Sequence, residues 1–242
     1  MARHLRANLT RAARGSARSA REWRRFWSAY SQYSRLAPPD RRPSVAHLYP
    51  CLGDATGETE IEPVYFYQDA WAFEKIVERR PASHVDVGSH HKFVALLSKV
   101  VAVTMVDLRP LALPLPSLRF VRGSILDLPF ETGSVPSVSS LCVIEHIGLG
   151  RYGDPLDPFG TERALDELER IVAPGGDLYV SAPIEPDGRV YFNAHRTYAP
   201  AALEAMIEPF EIVECRYIYG NTFTAEYQAQ PGVACYQLKK PL

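Results

Sequence analysis

Three short segments of the chain each join a run of strand-forming residues to a glycine or a carboxylate directly after it. They are VDVGS from Val85, VTMVDLRP from Val103 and FVRGSILDLPF from Phe120. In an open parallel sheet, ligands bind beyond the carboxyl ends of the strands, so these residues are the first candidates for binding. They offer turn N–H groups, a carboxylate that accepts hydroxyl groups, and polar groups for the edge of a flat heterocycle.

The first turn contains Gly88, which permits a tight strand-to-helix connection and brings backbone N–H groups close to a ligand. The segment is not a dinucleotide-binding GxGxxG motif, because His90 stands where the second glycine is needed. Its side chain obstructs the close approach of a pyrophosphate. The pattern therefore argues against an enzyme that uses a nicotinamide or flavin dinucleotide.

The second and third segments predict a nucleoside site. Asp107 ends the second strand about 20 residues beyond the glycine turn, where a carboxylate can accept both hydroxyl groups of a ribose. The alternative for Asp107 is a turn-capping role before Pro110. In the third segment, Ser124, Ile125 and Asp127 supply side-chain and backbone groups for an adenine edge.

The order of these segments resembles the class I S-adenosylmethionine-dependent methyltransferases. That family has a glycine turn, a ribose-binding acid, an adenine loop with LPF, a Glu-His dipeptide after the fourth strand and a PGG turn before the fifth. Here the last two are LCVIEHIGLGRYGDP and ELERIVAPGGDLYVSAP, and the resemblance spans about residues 83–183. The GLGRYGDP and FNAHRTY stretches resemble a little-characterised subfamily, a domain of unknown function associated with bacterial surface-polysaccharide genes.

The resemblance implies S-adenosylmethionine as the cofactor. The residues that it assigns to cofactor binding are Asp86, Gly88, Ser89, Asp107, Leu108, Ser124, Ile125 and Asp127. The chain departs from the family at His90 and Lys92, where relatives carry a second and a third glycine, and at Ser124, where many carry Asp. Lys92 either faces the carboxylate of the cofactor or points to solvent.

Glu145 and His146 lie where the family borders the site of methyl transfer. Transfer from a sulfonium needs an in-line nucleophile about 3 Å from the methyl group, and a base only if that nucleophile must lose a proton. His146 is thus a general base or a structural residue, and His195 is a comparable candidate or a loop histidine. Glu145, His146 and His195 form the predicted catalytic set.

A second set of polar residues suits a sugar or another hydroxylated acceptor. The predicted substrate-binding residues are Arg151, Tyr152, Asp154, Asn193 and Arg196. For the segment 151–154, a solvated turn is the alternative.

These residues must be positioned by alternating strands and helices. Strands are predicted at residues 84–87, 101–106, 118–121, 138–144 and 177–181, with helices at 93–99 and 162–172. The alternation predicts an α/β, Rossmann-like three-layer sandwich around a mostly parallel sheet. The strands predicted at 211–219 and 233–238 have no helix between them, so we expect an antiparallel pair at the sheet edge. A helix at 69–80, capped by Asp69, precedes the sheet.

The N-terminal part is strongly basic. Residues 1–42 contain eleven arginines against Glu22 and Asp40, a formal charge of +9, which leaves −10 for the rest of the chain. A helix over residues 3–30 carries aromatic residues on one side and arginines on the other, which suits an anionic membrane surface. Packing on the protein's own body or on a second subunit, and an organellar transit peptide, remain open.

Nucleic acid is disfavoured as a partner, because no basic and aromatic alternation continues into the body of the chain. Prolines at positions 38, 39 and 43 end the basic segment. We therefore predict a basic amphipathic helix and linker at residues 1–43 and a methyltransferase-like domain at residues 44–242.

Composition excludes several other classes. The 242 residues suit one main domain, and no apolar run approaches the roughly 18 residues of a membrane-spanning helix. The four cysteines lack a CxxC pair, which favours free thiols in a reducing cytoplasm. No structural-zinc spacing, GxSxG, P-loop or HExxH motif occurs. We predict no metal site and a cytoplasmic protein, peripheral at the inner face of the membrane if the basic helix binds lipid.

The leading hypothesis is transfer of a methyl group from S-adenosylmethionine to an oxygen of a glycan or related hydroxylated molecule. The alternative is a catalytically silent methyltransferase-like module that holds a membrane or a partner through its basic helix. The altered glycine turn favours this alternative. A homo-oligomer is compatible with both hypotheses.

Overall fold

The computed structural model of the protein describes residues 2–109 and 111–242, with side chains from residue 19 onward. Its contacts divide the chain into two units, Met1–Glu60 and Ile61–Leu242. The first unit contains helix α1 (Ala2–Leu36) and two short 3₁₀ turns. The predicted N-terminal helix is confirmed, but its predicted faces at residues 3–18 lie outside the described side chains. The domain boundary between residues 43 and 44 stays a prediction.

Aromatic rings follow one another along the second half of α1. Trp23 and Trp27 stack with their centroids 6.4 Å apart, and Phe26 meets Trp27 edge-on at 5.3 Å. The Tyr30 hydroxyl donates to the Pro43 carbonyl, which ties the helix to the segment after it. Trp23 and Trp27 remain 39% and 47% exposed, so the aromatic side of α1 is partly open to solvent. Within the described residues, no helix is long and apolar enough to cross a bilayer.

The second unit is built on one large sheet and a small hairpin. The strands of the sheet are β1 (Ser83–Val87), β2 (Ala102–Asp107), β3 (Leu118–Arg122), β4 (Val135–Leu141), β5 (Val172–Ile184), β8 (Glu211–Tyr219), β9 (Thr222–Thr224) and β10 (Gly232–Lys239). The hairpin pairs β6 (Arg189–Tyr191) with β7 (His195–Thr197). The sheet order is β3-β2-β1-β4-β5-β10-β8-β9. The strands β1 to β5 pair in parallel, and β10 is antiparallel to both β5 and β8.

The described residues of this unit form four α-helices: α2 (Pro63–Arg79), α3 (His91–Leu97), α4 (Gly160–Ile171) and α5 (Pro200–Met206). One buried cluster joins Leu168 of α4 and Leu203 of α5 to the sheet. A second cluster joins Trp71 of α2 and Phe93 of α3 to it. Each cluster contains different helices, which indicates that helices cover both faces of the sheet. The predicted Rossmann-like three-layer sandwich with an antiparallel edge pair is confirmed.

Several details differ from the predictions. Helix α2 begins at Pro63, and the Glu62 carboxylate accepts the Tyr65 N–H at 2.8 Å as its cap, so the prediction of Asp69 as the cap is wrong. Strand β4 ends at Leu141, and Ile144 belongs to a 3₁₀ turn, Ile144–His146. The β6–β7 hairpin was not predicted because strands of three residues are too short to show a periodic pattern.

Candidate functional site

Hydrogen bonds to the buried carboxylate of Asp86 stabilise the turn after β1. Gly88 has a φ of +74°, and its N–H donates to the Val106 carbonyl at 2.9 Å. Asp86 is fully buried, and its two oxygens accept the Ser89 N–H at 3.1 Å and the Ser139 hydroxyl at 2.6 Å. Burial raises the pKa of Asp86 to about 6. Asp86 therefore shapes the turn and does not face a ligand.

A histidine that sequence reasoning missed extends this network. Both ring nitrogens of His84 lie 2.8 Å from serine hydroxyls, Nδ1 from Ser137 and Nε2 from Ser139. Because Ser139 donates its proton to Asp86, the Nε2–H of His84 donates to Ser139 and Nδ1 accepts from Ser137. Burial lowers the pKa of His84 to about 3, which keeps the ring neutral. The only sequence signal was a polar residue inside a strand.

A cavity of about 380 Å³ opens at the carboxyl ends of the parallel strands. The predicted site residues that line it are Gly88, Ser89, Asp107, Leu108, Ser124, Ile125, His146, Tyr152 and Asp154. Residues that were not predicted also line it, among them Tyr65 of α2, His90, His91 and Cys142. Tyr65 lies outside every motif, because α2 reaches the cavity only through the tertiary fold. Burial raises the pKa of Cys142, so this thiol is not activated as a nucleophile.

Asp107 and Ser124 lie on the side of the cavity formed by β2 and β3. Asp107 Oδ1 accepts the Arg109 N–H at 2.7 Å, and the Arg109 Nε lies 3.6 Å from the same oxygen. The Ser124 hydroxyl accepts the Leu126 N–H at 3.1 Å. Asp127 is exposed and does not line the cavity; its N–H donates to the Ser124 carbonyl. The structure therefore gives Asp127 a place in the turn and not in the cavity.

His146 lies on the opposite side, at the end of the 3₁₀ turn after β4. Its Nδ1 donates to the Ala194 carbonyl at 2.7 Å, which leaves Nε2 as the unprotonated nitrogen of the neutral ring. Burial lowers the pKa of His146, and the nearby Arg151 and His195 contribute in the same direction. The Arg151 guanidinium donates to the same Ala194 carbonyl at 3.2 Å. Arg151 itself is exposed and borders the cavity through Tyr152.

Glu145 lies behind His146 and not in the cavity. It is 2% exposed, and its Oε1 is 3.7 Å from the His146 Nε2. Its Oε2 has no hydrogen-bond partner among the described residues. Burial raises the pKa of Glu145 to about 8, so this carboxyl group is mostly protonated at pH 7. The geometry gives Glu145 an influence on His146 and no direct contact with a ligand in the cavity.

The loop after His146 is folded around Asp154. Its carboxylate accepts the N–H groups of Gly148 at 2.7 Å, Gly150 at 3.4 Å and Tyr152 at 3.2 Å. The Tyr152 ring lies 4.4 Å from the Arg109 guanidinium and 5.0 Å from that of Arg151. Cation–π contacts of this kind connect the two sides of the cavity.

The β6–β7 hairpin carries the remaining predicted residues. The His195 ring is centred 6.4 Å from that of His146, so the structure brings the two histidines together. Asn193 is exposed in the hairpin turn, with a φ of +62°. Arg196 is 8% exposed and donates to the carbonyls of Ile147 and Asp157 at 2.5 and 3.1 Å. Arg196 therefore ties the hairpin to the loop and does not reach the cavity.

In the part of the chain that the structure describes, no group of three or more His, Cys, Asp or Glu side chains is placed to hold a metal ion. All four cysteines are free thiols.

Residues 132–231 match the model of a family described as "Caenorhabditis protein of unknown function, DUF268". No curated protein sequence matches the chain. Among solved structures, the chain is similar to the N-methyltransferase NodS from Bradyrhizobium japonicum WM9, with a TM-score of 0.57 and 14% identity over 76% of this chain and 100% of NodS. NodS in complex with S-adenosylhomocysteine gives a TM-score of 0.54 and 12% identity over 76% of this chain and 90% of that one.

The [4+2]-cyclase SpnF is also similar, with a TM-score of 0.54 and 14% identity over 72% of this chain and 81% of SpnF. At these identities the likeness shows the fold, and the predicted class I methyltransferase fold is confirmed. A cyclase among the similar structures illustrates that this fold alone does not decide the reaction. The family match includes both the EHIGLGRYGDP loop and the FNAHRTY segment, whereas the link to surface-polysaccharide genes stays a prediction.

Proposed function

We propose that the protein is an S-adenosylmethionine-dependent methyltransferase. The observation that carries the proposal is the cavity in which the Gly88 turn, Asp107 and Ser124 converge. Its volume of about 380 Å³ suits a molecule of cofactor size. The Asp107 Oδ2 accepts no hydrogen bond within the described residues and is available to ribose hydroxyls. Leu108 and Ile125 offer apolar contacts to a purine. The residues present therefore fit the cofactor.

The proposed reaction is methylation of an oxygen. S-adenosylmethionine, when bound, supplies an activated methyl group. Asp107 and the Gly88 turn would hold the cofactor, and the His146 Nε2 would take the proton of the acceptor hydroxyl as its oxygen receives the methyl group. The Glu145 Oε1, 3.7 Å from Nε2, lies close enough to stabilise the imidazolium electrostatically. His195 is the alternative base, and a purely structural His146 remains the competing role.

The cofactor claim is tested by calorimetry with S-adenosylhomocysteine. Loss of the charged acceptor in Asp107→Asn should weaken binding by roughly 1.5–3 kcal/mol, about 10- to 150-fold. The matched control is Asp127→Asn, which changes an exposed carboxylate outside the cavity and should leave the affinity unchanged. If the wild-type protein shows neither heat nor a thermal shift at millimolar ligand, the cofactor claim is wrong.

We propose a glycan or another hydroxylated molecule as the acceptor, bound between the loop at 145–155 and the β6–β7 hairpin. Arg151, Tyr152, His195 and Asn193 supply the guanidinium, hydroxyl, imidazole and amide groups that orient sugars. A role in polysaccharide biosynthesis follows from the subfamily resemblance. The assay is transfer of labelled methyl to a panel of glycans and nucleotide sugars. Incorporation only into nitrogen-containing acceptors would contradict an oxygen-directed reaction.

A silent binding module is the second candidate function. The observation that favours it is the pair of side chains, His90 and Lys92, at glycine positions of the cofactor turn. The same calorimetry separates the two candidates, because a silent module that has lost the cofactor gives no heat with S-adenosylhomocysteine.

We propose in addition that α1 attaches the protein to anionic membranes. The support is its excess of arginines together with the exposed Trp23 and Trp27, since tryptophan and arginine are typical of interfacial helices. The full chain should sediment with phosphatidylserine vesicles, less so in high salt, and little with neutral phosphatidylcholine.

The variant Trp23→Ser/Trp27→Ser should lose most of this binding, whereas Tyr49→Ser, an 87% exposed aromatic of the same unit outside α1, serves as the control. Equal sedimentation of all three proteins would contradict the proposal. A concentration-dependent dimer that the double variant abolishes would instead favour a second subunit as the partner.

A further inference from the structure

His90 stands at the second glycine position of the turn after β1, and its side chain lines the cavity. The imidazole packs against two other rings, with centroid distances of 5.0 Å to Tyr65 and 4.3 Å to His91. Tyr65 comes from α2, whereas His91 begins α3. Contacts from two different helices restrict the ring, so a ligand that reaches it meets a preorganised side chain.

One atom of this ring is unsatisfied. The Nδ1 of His90 is buried and has no hydrogen-bond partner among the described residues. Leaving a buried polar atom unpaired is costly, and the His90 side chain lines the cavity, so a ligand bound there can supply the missing partner of Nδ1. Burial, with the neighbouring His91 and Lys92, lowers the pKa of His90. The neutral ring can carry its proton on Nδ1 and donate it.

We propose that His90 binds the carboxylate of the amino-acid part of S-adenosylmethionine, with its side chain replacing the glycine backbone that other methyltransferases place here. This inference rests on the proposed function. The cationic side chains nearby are less suitable than the neutral His90, because Lys92 is exposed and does not line the cavity, and Arg109 is engaged by Asp107 and Tyr152. The two side chains at glycine positions then differ in role, since His90 binds the cofactor and Lys92 does not.

The test compares two ligands that share adenosine and a thioether. S-adenosylhomocysteine carries the amino-acid group, whereas 5′-methylthioadenosine lacks it. Calorimetry on the full chain should show that His90→Leu weakens S-adenosylhomocysteine binding by about 10- to 100-fold, because a hydrogen bond to a charged group is lost. Binding of 5′-methylthioadenosine should not change, which also reports that the variant is folded.

Two further variants sharpen the result. In His90→Asn, an amide takes the place of Nδ1 and should recover part of the lost affinity. Lys92→Gln, the matched control two residues further along the chain, should bind both ligands as the wild type does.

Three outcomes overturn the inference. In the first, His90→Leu binds both ligands like the wild type. In the second, His90→Gly binds S-adenosylhomocysteine more tightly than the wild type, which would make His90 an obstruction. In the third, Lys92→Gln, and not His90→Leu, selectively loses affinity for S-adenosylhomocysteine. If the wild-type protein binds neither ligand, the proposed function itself fails. That result is distinct from the three others, in all of which the wild type binds.

Discussion

The two sides of the cavity are built in different ways. The cofactor wall, formed by the turns after β1, β2 and β3, is held within the sheet, by backbone bonds such as Gly88 N–H to Val106 and Gly123 N–H to Asp107, and by the Asp86 carboxylate at the first turn. The acceptor wall, formed by the loop at 142–160 and the β6–β7 hairpin, is held by side chains. His146 reaches Ala194, 48 residues away, and Arg196 reaches Ile147, 49 residues away. The cofactor wall therefore inherits its geometry from the sheet, whereas the acceptor wall depends on individual side chains.

The largest expected effect is on turnover: substitutions in the acceptor wall should lower activity without changing the affinity of the cofactor wall for its ligand. If His146 is the base, His146→Ala should lower the turnover number by roughly 10²–10⁴-fold while the affinity for S-adenosylhomocysteine stays nearly unchanged. Arg151→Ala should mainly raise the Michaelis constant of the acceptor, because a positioning residue acts on binding. Product formation from labelled cofactor, with His195→Ala measured alongside, is the assay. Wild-type rates for all three variants on a verified acceptor would show that the acceptor wall is misplaced.

Two glycines test how rigid each wall is. A Cβ at Gly148 would lie 2.1 Å from the Asp157 carbonyl oxygen, whereas one at Gly88 would lie 3.0 Å from the Val143 side chain. A backbone atom cannot move aside as a side chain can, so Gly148→Ala should lower the free energy of unfolding by about 3 kcal/mol or more, and Gly88→Ala by about 1–2 kcal/mol.

The matched control for these glycines is Gly153→Ala. Gly153 has a similar φ of +83°, but a Cβ at this position would meet nothing within 4 Å, so only the backbone strain of about 1 kcal/mol should remain. Chemical denaturation of the three variants gives the comparison. Equal losses for Gly148→Ala and Gly153→Ala would mean that the loop relaxes freely.

Glu145 makes the acceptor wall sensitive to pH. Its folded-state pKa of about 8 lies above the usual value of 4.5, so the folded state binds a proton that the unfolded state has released. Stability should therefore fall as the pH rises between these values, until the folded carboxyl group also ionises. The folded pKa values of Asp69 and Asp86 are about 6, so both groups are mostly ionised above pH 6.5. Between pH 6.5 and 8, Glu145 is therefore the carboxyl group that contributes most to the pH dependence of stability.

The neutral variant Glu145→Gln removes this dependence. From pH 6.5 to 8, the wild type should lose about 1–2 kcal/mol of unfolding free energy relative to the variant. Denaturant titrations of both proteins at four pH values measure the difference. Parallel pH profiles would indicate that the carboxyl group is already ionised at pH 6.5.

The smallest expected effect concerns the contact between the walls. Tyr152 touches Arg109 of the cofactor wall and Arg151 of the acceptor wall. Exposed cation–π contacts contribute about 0.5–1 kcal/mol, so Tyr152→Leu should speed dissociation of S-adenosylhomocysteine by about 2- to 5-fold. Tyr152→Phe keeps the ring and should behave like the wild type. An equal change in both variants would assign the effect to the hydroxyl group.

Much of the cofactor wall was predictable because its signals are local. Gly88 and Asp107 were identified from their places directly after strand-like runs, and both line the cavity. The same local reasoning could not separate Asp86 and Asp127 from them. Strand periodicity predicts that a carboxylate lies near a strand end. Whether that carboxylate faces a cavity, a buried serine or solvent depends on the neighbouring strands.

By itself, the sequence determined the alternation of strands and helices as far as β5, the antiparallel edge pair, the glycine turn and the carboxylate after β2, because period-two hydrophobicity and turn residues act over a few neighbouring positions. Only the tertiary structure decided which groups meet across the cavity. It brought Tyr65 to His90, placed Glu145 behind His146, and turned Arg196 from a predicted substrate contact into a tie between the hairpin and the loop. These contacts join residues far apart in the chain, and their energies arise from burial and hydrogen bonds that no local pattern encodes.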